Sequence, residues 1–112
     1  MAEIADIVTK LWERTNEHKI PWEPTVNETA FLASIGDSSS VTITSYRRQI
    51  GGEHLRFQIM DERGRELGKY ETYGGGDAET NEKLIDIYTE ARRTALKIDS
   101  HFDDILQELE KE

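Results

Sequence analysis

The chain has 112 residues, of which 36% are hydrophobic and 33% are charged, and its formal net charge is -9. A chain of this length supports one hydrophobic core, so we expect a single domain over residues 1–112. The acidic excess disfavours binding to nucleic acid and to anionic membrane surfaces, because both repel negative charge. With no cysteine present, disulfides, thiolate metal sites and cysteine nucleophiles are excluded.

The sequence also indicates a location. The absence of cysteine favours a reducing compartment. The first residues, MAEIADIVTK, have no basic start followed by an apolar core, so we expect no signal peptide. No apolar run approaches the ~18 residues that a membrane span requires. Together these features predict a cytoplasmic protein.

A first helix is predicted over residues 2–18, because apolar side chains recur there at helical spacing. Its apolar stripe comprises Ile4, Ile7, Val8, Leu11, Trp12 and Thr15. Pro21 disfavours helical geometry at Ile20, so the helix should end before it. The IPWEP segment is at best a sheet edge, since proline lacks a ladder donor. We expect Trp22 to fold back onto the first helix or to cap one end of the core.

The middle of the chain predicts four strands, because apolar and polar residues alternate there over short runs. They cover residues 29–35, 41–46, 54–60 and 65–73. The intervening turns GDSSS, Gly51-Gly52 and DERG are short, which favours an antiparallel meander.

The two faces of this sheet differ in polarity. One face is expected to bury Phe31, Val41, Ile43, Leu55, Phe57 and Ile59. The other carries Thr42, Thr44, Arg56 and Gln58 and should stay in contact with water. Because one apolar face needs a cover, we predict an α+β fold in which the N-terminal and C-terminal helices pack on that face.

A heptad-like apolar ladder occupies the C-terminal part of the chain. After a linker at Gly74-Gly75-Gly76, either Asp77 or Thr80 is expected to cap the helix that follows. The ladder residues are separated by alternating steps of four and three, which keeps one helical stripe dry. They are Leu84, Tyr88, Ala91, Ala95, Ile98, Phe102, Ile105 and Leu109.

The sequence leaves open whether this ladder is one helix or two. Ser100 and Asp103 match a capping box, which favours a break at Asp99-Ser100. The ladder nevertheless keeps its phase through Ile98 and Phe102, and a break normally resets the phase. We therefore predict one long, continuous helix, with a bent or broken helix as the alternative.

The ladder is longer than the sheet it would cover. A four-stranded sheet needs roughly 10–14 helical residues of cover, whereas the 26 residues from Leu84 to Leu109 span about 39 Å as a helix. The overhanging part should meet a partner, because apolar side chains are seldom left exposed as a group. The predicted partner-binding residues are Ile98, Phe102, Ile105, Leu106 and Leu109.

We predict no catalytic, metal-binding or cofactor-binding residues. None of His18, His54 and His101 belongs to a metal-ligand motif. The serines at 38–40 lie in a turn without the context of a nucleophile elbow. The three glycines at 74–76 are not followed by the Lys-Ser/Thr pair of a phosphate-binding loop.

One region of the chain is basic, with arginines at 47, 48, 56, 63 and 65. With Tyr46 and His54 nearby, Arg47, Arg48 and Arg56 could bind single-stranded nucleic acid through charge and stacking. Given the net charge of -9, we expect instead that the arginines neutralise the acidic helices.

Several short segments resemble an uncharacterised family of small bacterial helix–meander–helix proteins. These segments are LWERT (11–15), PWEPT (21–25), FLASIG (31–36), DERG (61–64) and YTEARRTAL (88–96). The resemblance covers most of the chain and is carried by scattered Trp, Gly and Ala-Arg-Arg positions. It implies a bacterial or phage-encoded cytoplasmic protein, and no activity, cofactor or binding residue.

The sequence thus predicts a non-enzymatic protein-interaction module that forms a homodimer through its C-terminal helix. The alternative is an acidic inhibitor, antitoxin or immunity-type protein that binds a basic partner. In that alternative, the acidic surface over residues 99–112 makes the contact.

Overall fold

The computed structural model describes residues 3–49, 51–73 and 76–111, and these residues form three helices and five strands. The helices are α1 (Ile4–Asn16), α2 (Ala78–Ala95) and α3 (Ile98–Glu110). The strands are β1 (Glu23–Pro24), β2 (Ala30–Ile35), β3 (Ser39–Arg48), β4 (Gly52–Asp61) and β5 (Glu66–Glu71). Some residues of the segments predicted from the sequence lie outside the described residues. They are residue 2 of the first helix, glycines 74 and 75 of the linker, and residue 112 of the acidic C-terminal surface.

The strands form one antiparallel sheet in sequence order, β1-β2-β3-β4-β5. The α+β class and the antiparallel meander are therefore confirmed. Our count of four strands is wrong, because Glu23 and Pro24 pair with Leu32 and Phe31 as a short fifth strand. β1 lies at the edge of the sheet, where a proline without a ladder donor is tolerated.

The core is built on a row of large side chains that crosses the sheet. Phe31 pairs with Ile43, and Ile43 pairs with Phe57, so these three side chains lie side by side on one face. All three are fully buried. Burial of each contributes roughly 1.5–3 kcal/mol relative to exposure. The helices complete this core with Val8, Leu11, Leu84, Ile87 and Ala91.

Helices α1 and α2 lie next to each other on this apolar face. The Lys83 ammonium donates to the Thr9 hydroxyl at 3.0 Å, and the Trp12 indole donates to the Asp86 carboxylate at 3.0 Å. Both contacts use the same side of α1. Helical spacing places Ile7, Lys10 and Arg14 on the opposite side, facing away from α2.

Trp22 ties the segment after α1 back onto that helix, as predicted. Its side chain is buried, and its indole N–H donates to the Thr15 hydroxyl at 3.2 Å. Burying an indole is favourable when its polar end finds an acceptor, and Thr15 supplies that acceptor in the core. Asp77 likewise acts as the predicted N-cap of α2 by accepting a hydrogen bond from the Thr80 backbone N–H.

The continuous C-terminal helix that we predicted is wrong, because the chain leaves the helix at Leu96 and Lys97. The N–H groups of these residues bond back to the carbonyls of Arg92 and Thr94 and close the end of α2. Lys97 then adopts a left-handed conformation, with φ 53. The break also precedes the predicted boundary, since Asp99 and Ser100 lie inside the first turn of α3.

Helix α3 lies outside the core. None of its residues is buried, and in the described chain α2 is the element that it contacts. The chain exposes 7841 Å², whereas a compact monomer of 12.9 kDa exposes about 6,300 Å². The radius of gyration is 15.6 Å, against about 13 Å for a compact chain of this length. The projecting helix accounts for an elongated molecule with excess surface.

The bond between Trp22 and Thr15 can be tested by two substitutions at Thr15. Thr15→Val removes the acceptor and leaves a buried indole N–H unpaired, so the free energy of unfolding should fall by about 1–3 kcal/mol. Thr15→Ser keeps the hydroxyl and loses one methyl group, which should cost about 1 kcal/mol or less. Urea unfolding followed by tryptophan fluorescence measures both. Equal losses in the two variants would show that the hydrogen bond contributes nothing.

Candidate functional site

The predicted partner-binding residues all lie on one face of α3. At 3.6 residues per turn, Ile98, Phe102, Ile105, Leu106 and Leu109 fall within an arc of about 100°. The last four are 63%, 56%, 56% and 65% exposed, respectively, and Ile98 is partly buried at the junction with α2. We call this face the α3 stripe. Among the described residues, α2 contacts this helix, and the last four side chains of the stripe remain more than half exposed.

The α3 stripe is flanked by acidic side chains. Helical spacing places Asp103 and Glu110 along one flank and Glu108 along the other. All thirteen residues of α3 are described, and they include five acidic residues and no lysine or arginine. Asp99 already forms an ion pair with Arg93 across the break. The surface offered by α3 is therefore apolar along its centre and negative at both edges.

A second uncovered apolar surface lies on the sheet, beside α1. It is a groove of about 370 Å³ whose apolar lining comprises Ile7, Leu11, Ile20, Ile35, Val41 and Ile59. Ile7 and Ile35 are 37% and 39% exposed. We call this feature the α1 groove.

The α1 groove exists because two helices do not cover the whole apolar face. Val41 pairs with Ala33 on one side and with Ile59 on the other. Ile35 lies two residues after Ala33 in β2, on the same face and near the β2–β3 turn. Because α2 packs on the far side of α1, this end of the sheet has α1 along one border and solvent along the other.

The rim of the α1 groove is basic. Lys10 and Arg14 line it from α1, on the side opposite to α2. Each forms an exposed ion pair, Lys10 with Glu13 of the same helix at 3.2 Å and Arg14 with Glu17, the residue that follows the helix, at 3.0 Å. Such exposed pairs are weak, so both cations remain able to contact an incoming carboxylate.

No pattern in the sequence indicated the α1 groove. Ile7 was assigned to the apolar stripe of the first helix, and Ile35 was not among the residues expected to be buried. From the sequence, nothing indicated that the side chains of Ile7 and Ile35 line the same open surface. A comparison of the width of a five-stranded sheet with the width of two helices would have indicated it.

The opposite face of the sheet carries a cluster of aromatic and charged side chains. The Glu71 carboxylate accepts from the Tyr46 hydroxyl at 3.0 Å and from the Arg56 guanidinium at 3.1 Å. The Arg48 guanidinium lies 3.7 Å from the centre of the Tyr73 ring. We expected Arg56 to neutralise the acidic helices, but its partner is this carboxylate of β5. The charge of Arg56 is thus used to join β4 to β5.

These contacts shift the titration of two groups. The hydrogen bond from Tyr46, and next the one from Arg56, lower the pKa of Glu71 below its ordinary value of 4.5. Burial, and next the hydrogen bond to Glu71, raise the pKa of Tyr46. Both shifts indicate a carboxylate that is ionised and held in place at neutral pH.

A further cavity, of about 250 Å³, has Ser45, Glu53, His54 and Tyr88 among its lining residues. The Ser45 hydroxyl donates to the Glu53 carboxylate at 3.2 Å, whereas the His54 ring lies between Tyr46 and Tyr73. A serine that donates to a carboxylate lacks the adjacent imidazole base that would activate it as a nucleophile. The candidate serines at 38–40 lie in the β2–β3 turn and at the start of β3, and none of them lines this cavity.

The described residues contain no group of three or more His, Asp or Glu side chains that could hold a metal ion. None of their helices is both long enough and apolar enough to cross a membrane. Comparison with known protein families, curated proteins and solved structures found no match.

The Glu71 cluster predicts a pH-dependent contribution to stability. Because the folded state lowers the pKa of Glu71, its contribution is present above about pH 4.5 and is lost as the pH falls through the folded-state pKa. Glu71→Gln should lower the free energy of unfolding by about 0.5–1 kcal/mol at pH 7. The difference between wild type and variant should shrink below pH 4. Urea unfolding at pH 7, 5 and 3.5 measures it.

The matched control is Glu62→Gln, which removes a glutamate from the exposed turn between β4 and β5. It should leave the free energy of unfolding within about 0.5 kcal/mol of wild type at each pH. If Glu71→Gln behaves like this control, Glu71 does not stabilise the sheet in the way described.

Proposed function

We propose that the protein is a non-enzymatic, cytoplasmic interaction module that forms a homodimer through α3. The observation that carries this proposal is the α3 stripe. Phe102, Ile105, Leu106 and Leu109 are each more than half exposed on one face of a helix that has no buried residue. Large apolar side chains grouped in this way are typical of a protein–protein contact surface.

The energetics favour a partner for this stripe. Burial of the exposed parts of these four side chains would contribute roughly 5 kcal/mol. The break at Lys97 directs α3 off the sheet, so that contribution is not realised within one chain. The chain also exposes about 1,500 Å² more than a compact monomer, and a stable interface needs about 800 Å² from each partner. The excess surface is thus sufficient for a dimer.

A second candidate function follows from the charge of α3. Its five acidic residues would favour a basic protein, as in an inhibitor, antitoxin or immunity-type protein. The two candidates differ in what the purified chain does alone. Self-association requires no second protein, whereas the second candidate predicts a monomer whose affinity for a basic partner falls steeply with ionic strength.

The α3 stripe can be tested by Phe102→Asp combined with Ile105→Asp. Two carboxylates in the centre of the stripe would have to be buried in any contact, so the mass in solution should fall from that of two chains to that of one. Light scattering coupled to size exclusion measures the mass. Circular dichroism should remain unchanged, because both positions are exposed in the single chain.

The matched control places the same two charges on the opposite face of α3. Ser100 and Gln107 lie about 180° from the centre of the stripe and are exposed, so Ser100→Asp combined with Gln107→Asp should retain the dimer mass. A wild-type chain that stays monomeric at every concentration would overturn the proposed function. Equal loss of mass in both double variants would also contradict a contact through the stripe.

A further inference from the structure

We propose that α3 of each copy occupies the α1 groove of a second copy, in a reciprocal exchange. This inference rests on the proposed function and adds to it the surface that receives the helix. The occupant is thus a second copy of this chain, and the contact is helix-in-groove instead of helix-on-helix. The groove supplies the apolar bed, and α3 supplies the helix that the sheet lacks beside α1.

The spacing of the α3 stripe suits a groove of this kind. A helix that lies in an apolar groove inserts anchors at positions i, i+3, i+4 and i+7. Phe102, Ile105, Leu106 and Leu109 have this spacing. Opposite them, the groove presents isoleucines from α1, from the segment after it and from the strands β2 and β4, together with Val41 of β3. The two surfaces are both apolar, both open, and both formed by described residues.

The distribution of charge favours α3 in the α1 groove over a contact between two α3 helices. Pairing α3 with α3 would bring the flanking carboxylates of Asp103, Glu108 and Glu110 of each copy near those of the other, and like charges at a contact are destabilising. In the groove, the flanking carboxylates of Asp103, Glu108 and Glu110 would instead approach a rim that carries Lys10 and Arg14. Both charged residues that line the groove have the sign opposite to α3.

The helix of the same chain cannot reach the groove. Its linker consists of Leu96 and Lys97, which together span at most about 7 Å. The groove lies on the far side of α1 from α2, which is a displacement of two helix spacings, or roughly 16–20 Å. A second copy has no such restriction, because its α3 approaches from solvent.

Reciprocity also supplies the required area. One helix of 13 residues against another buries a small surface, below the range of stable dimers. Two helix–groove contacts related by a two-fold axis double that surface, and each copy then contributes both a helix and a groove. The resulting interface fits the excess surface of the elongated chain.

The first test reverses the charge of the rim. Lys10→Glu combined with Arg14→Glu, the groove variant, should raise the dissociation constant of the dimer at least tenfold at low salt, with a smaller effect at high salt. The matched control is Arg47→Glu combined with Arg48→Glu, which makes the same change in net charge at the far end of β3. It should leave the dissociation constant within about threefold of wild type. Sedimentation equilibrium measures both.

The second test mixes two defective chains. The helix variant, Phe102→Asp with Ile105→Asp, retains an intact groove, and the groove variant retains an intact α3. The helix variant is labelled at its isoleucine methyls and observed by NMR. When unlabelled groove variant is added, the methyl signals of Ile7, Ile35 and Ile59 in the helix variant should shift. Addition of unlabelled helix variant should shift none of them, because no intact α3 is then present.

The outcomes separate this inference from the proposed function. A monomeric wild type overturns both. Self-association through α3 is supported if the wild type is dimeric and the helix variant is monomeric. If the groove variant then dimerises like the wild type, the α1 groove is not the surface that receives α3. If the mixture leaves the three isoleucine signals unmoved, the groove is likewise not the receptor. Shifts of those signals in the mixture alone support the exchange.

Discussion

The apolar face of the sheet is wider than the two helices that cover it, and most other features follow from this mismatch. The row of Phe31, Ile43 and Phe57 is sealed by α1 and α2, which provides a closed core. Beyond α1, the same face continues to Ile35 without a helix above it. The chain contains a third amphipathic helix, α3. Because α3 begins at the end of α2, and α1 lies between α2 and the α1 groove, α3 does not cover the groove of its own chain. One chain therefore carries both an uncovered apolar face and an uncovered apolar helix.

The break at Lys97 determines where that third helix goes. A left-handed residue other than glycine costs about 1–2 kcal/mol, so the break persists only where the surrounding contacts offset this cost. Closure of the end of α2 and the ion pair between Arg93 and Asp99 both favour it. Because the linker is two residues long, α3 is held off the sheet with its stripe exposed. A surface that is fixed in this way loses little conformational entropy when it binds, which favours association.

The sequence predicted those parts of the fold that depend on local patterns. Alternation identified the covered residues of the strands, and proline chemistry identified the edge character of IPWEP, although not its pairing as β1. In α2, the ladder residues Leu84 and Ala91 are buried and Tyr88 packs partly buried against the core, whereas the fully buried Ile87 was not part of the ladder. In α3, the ladder residues Phe102, Ile105 and Leu109 are exposed. The break at Lys97 has no local signal, since lysine rarely adopts positive φ. The α1 groove is a property of how helices and sheet fit together, so no single segment of the sequence predicts it.

The central claim is that the α3 stripe and the α1 groove cover each other between two copies. Isotope-filtered nuclear Overhauser measurements on a mixture of labelled and unlabelled wild-type chains test it most directly, because they detect contacts between copies alone. If α3 occupies the α1 groove of a second copy, contacts are expected from the Phe102 ring and the Leu109 methyls of one copy to the methyls of Ile7 and Ile35 of the other. Contacts that join the two α3 helices to each other, with none to Ile7 or Ile35, would contradict it.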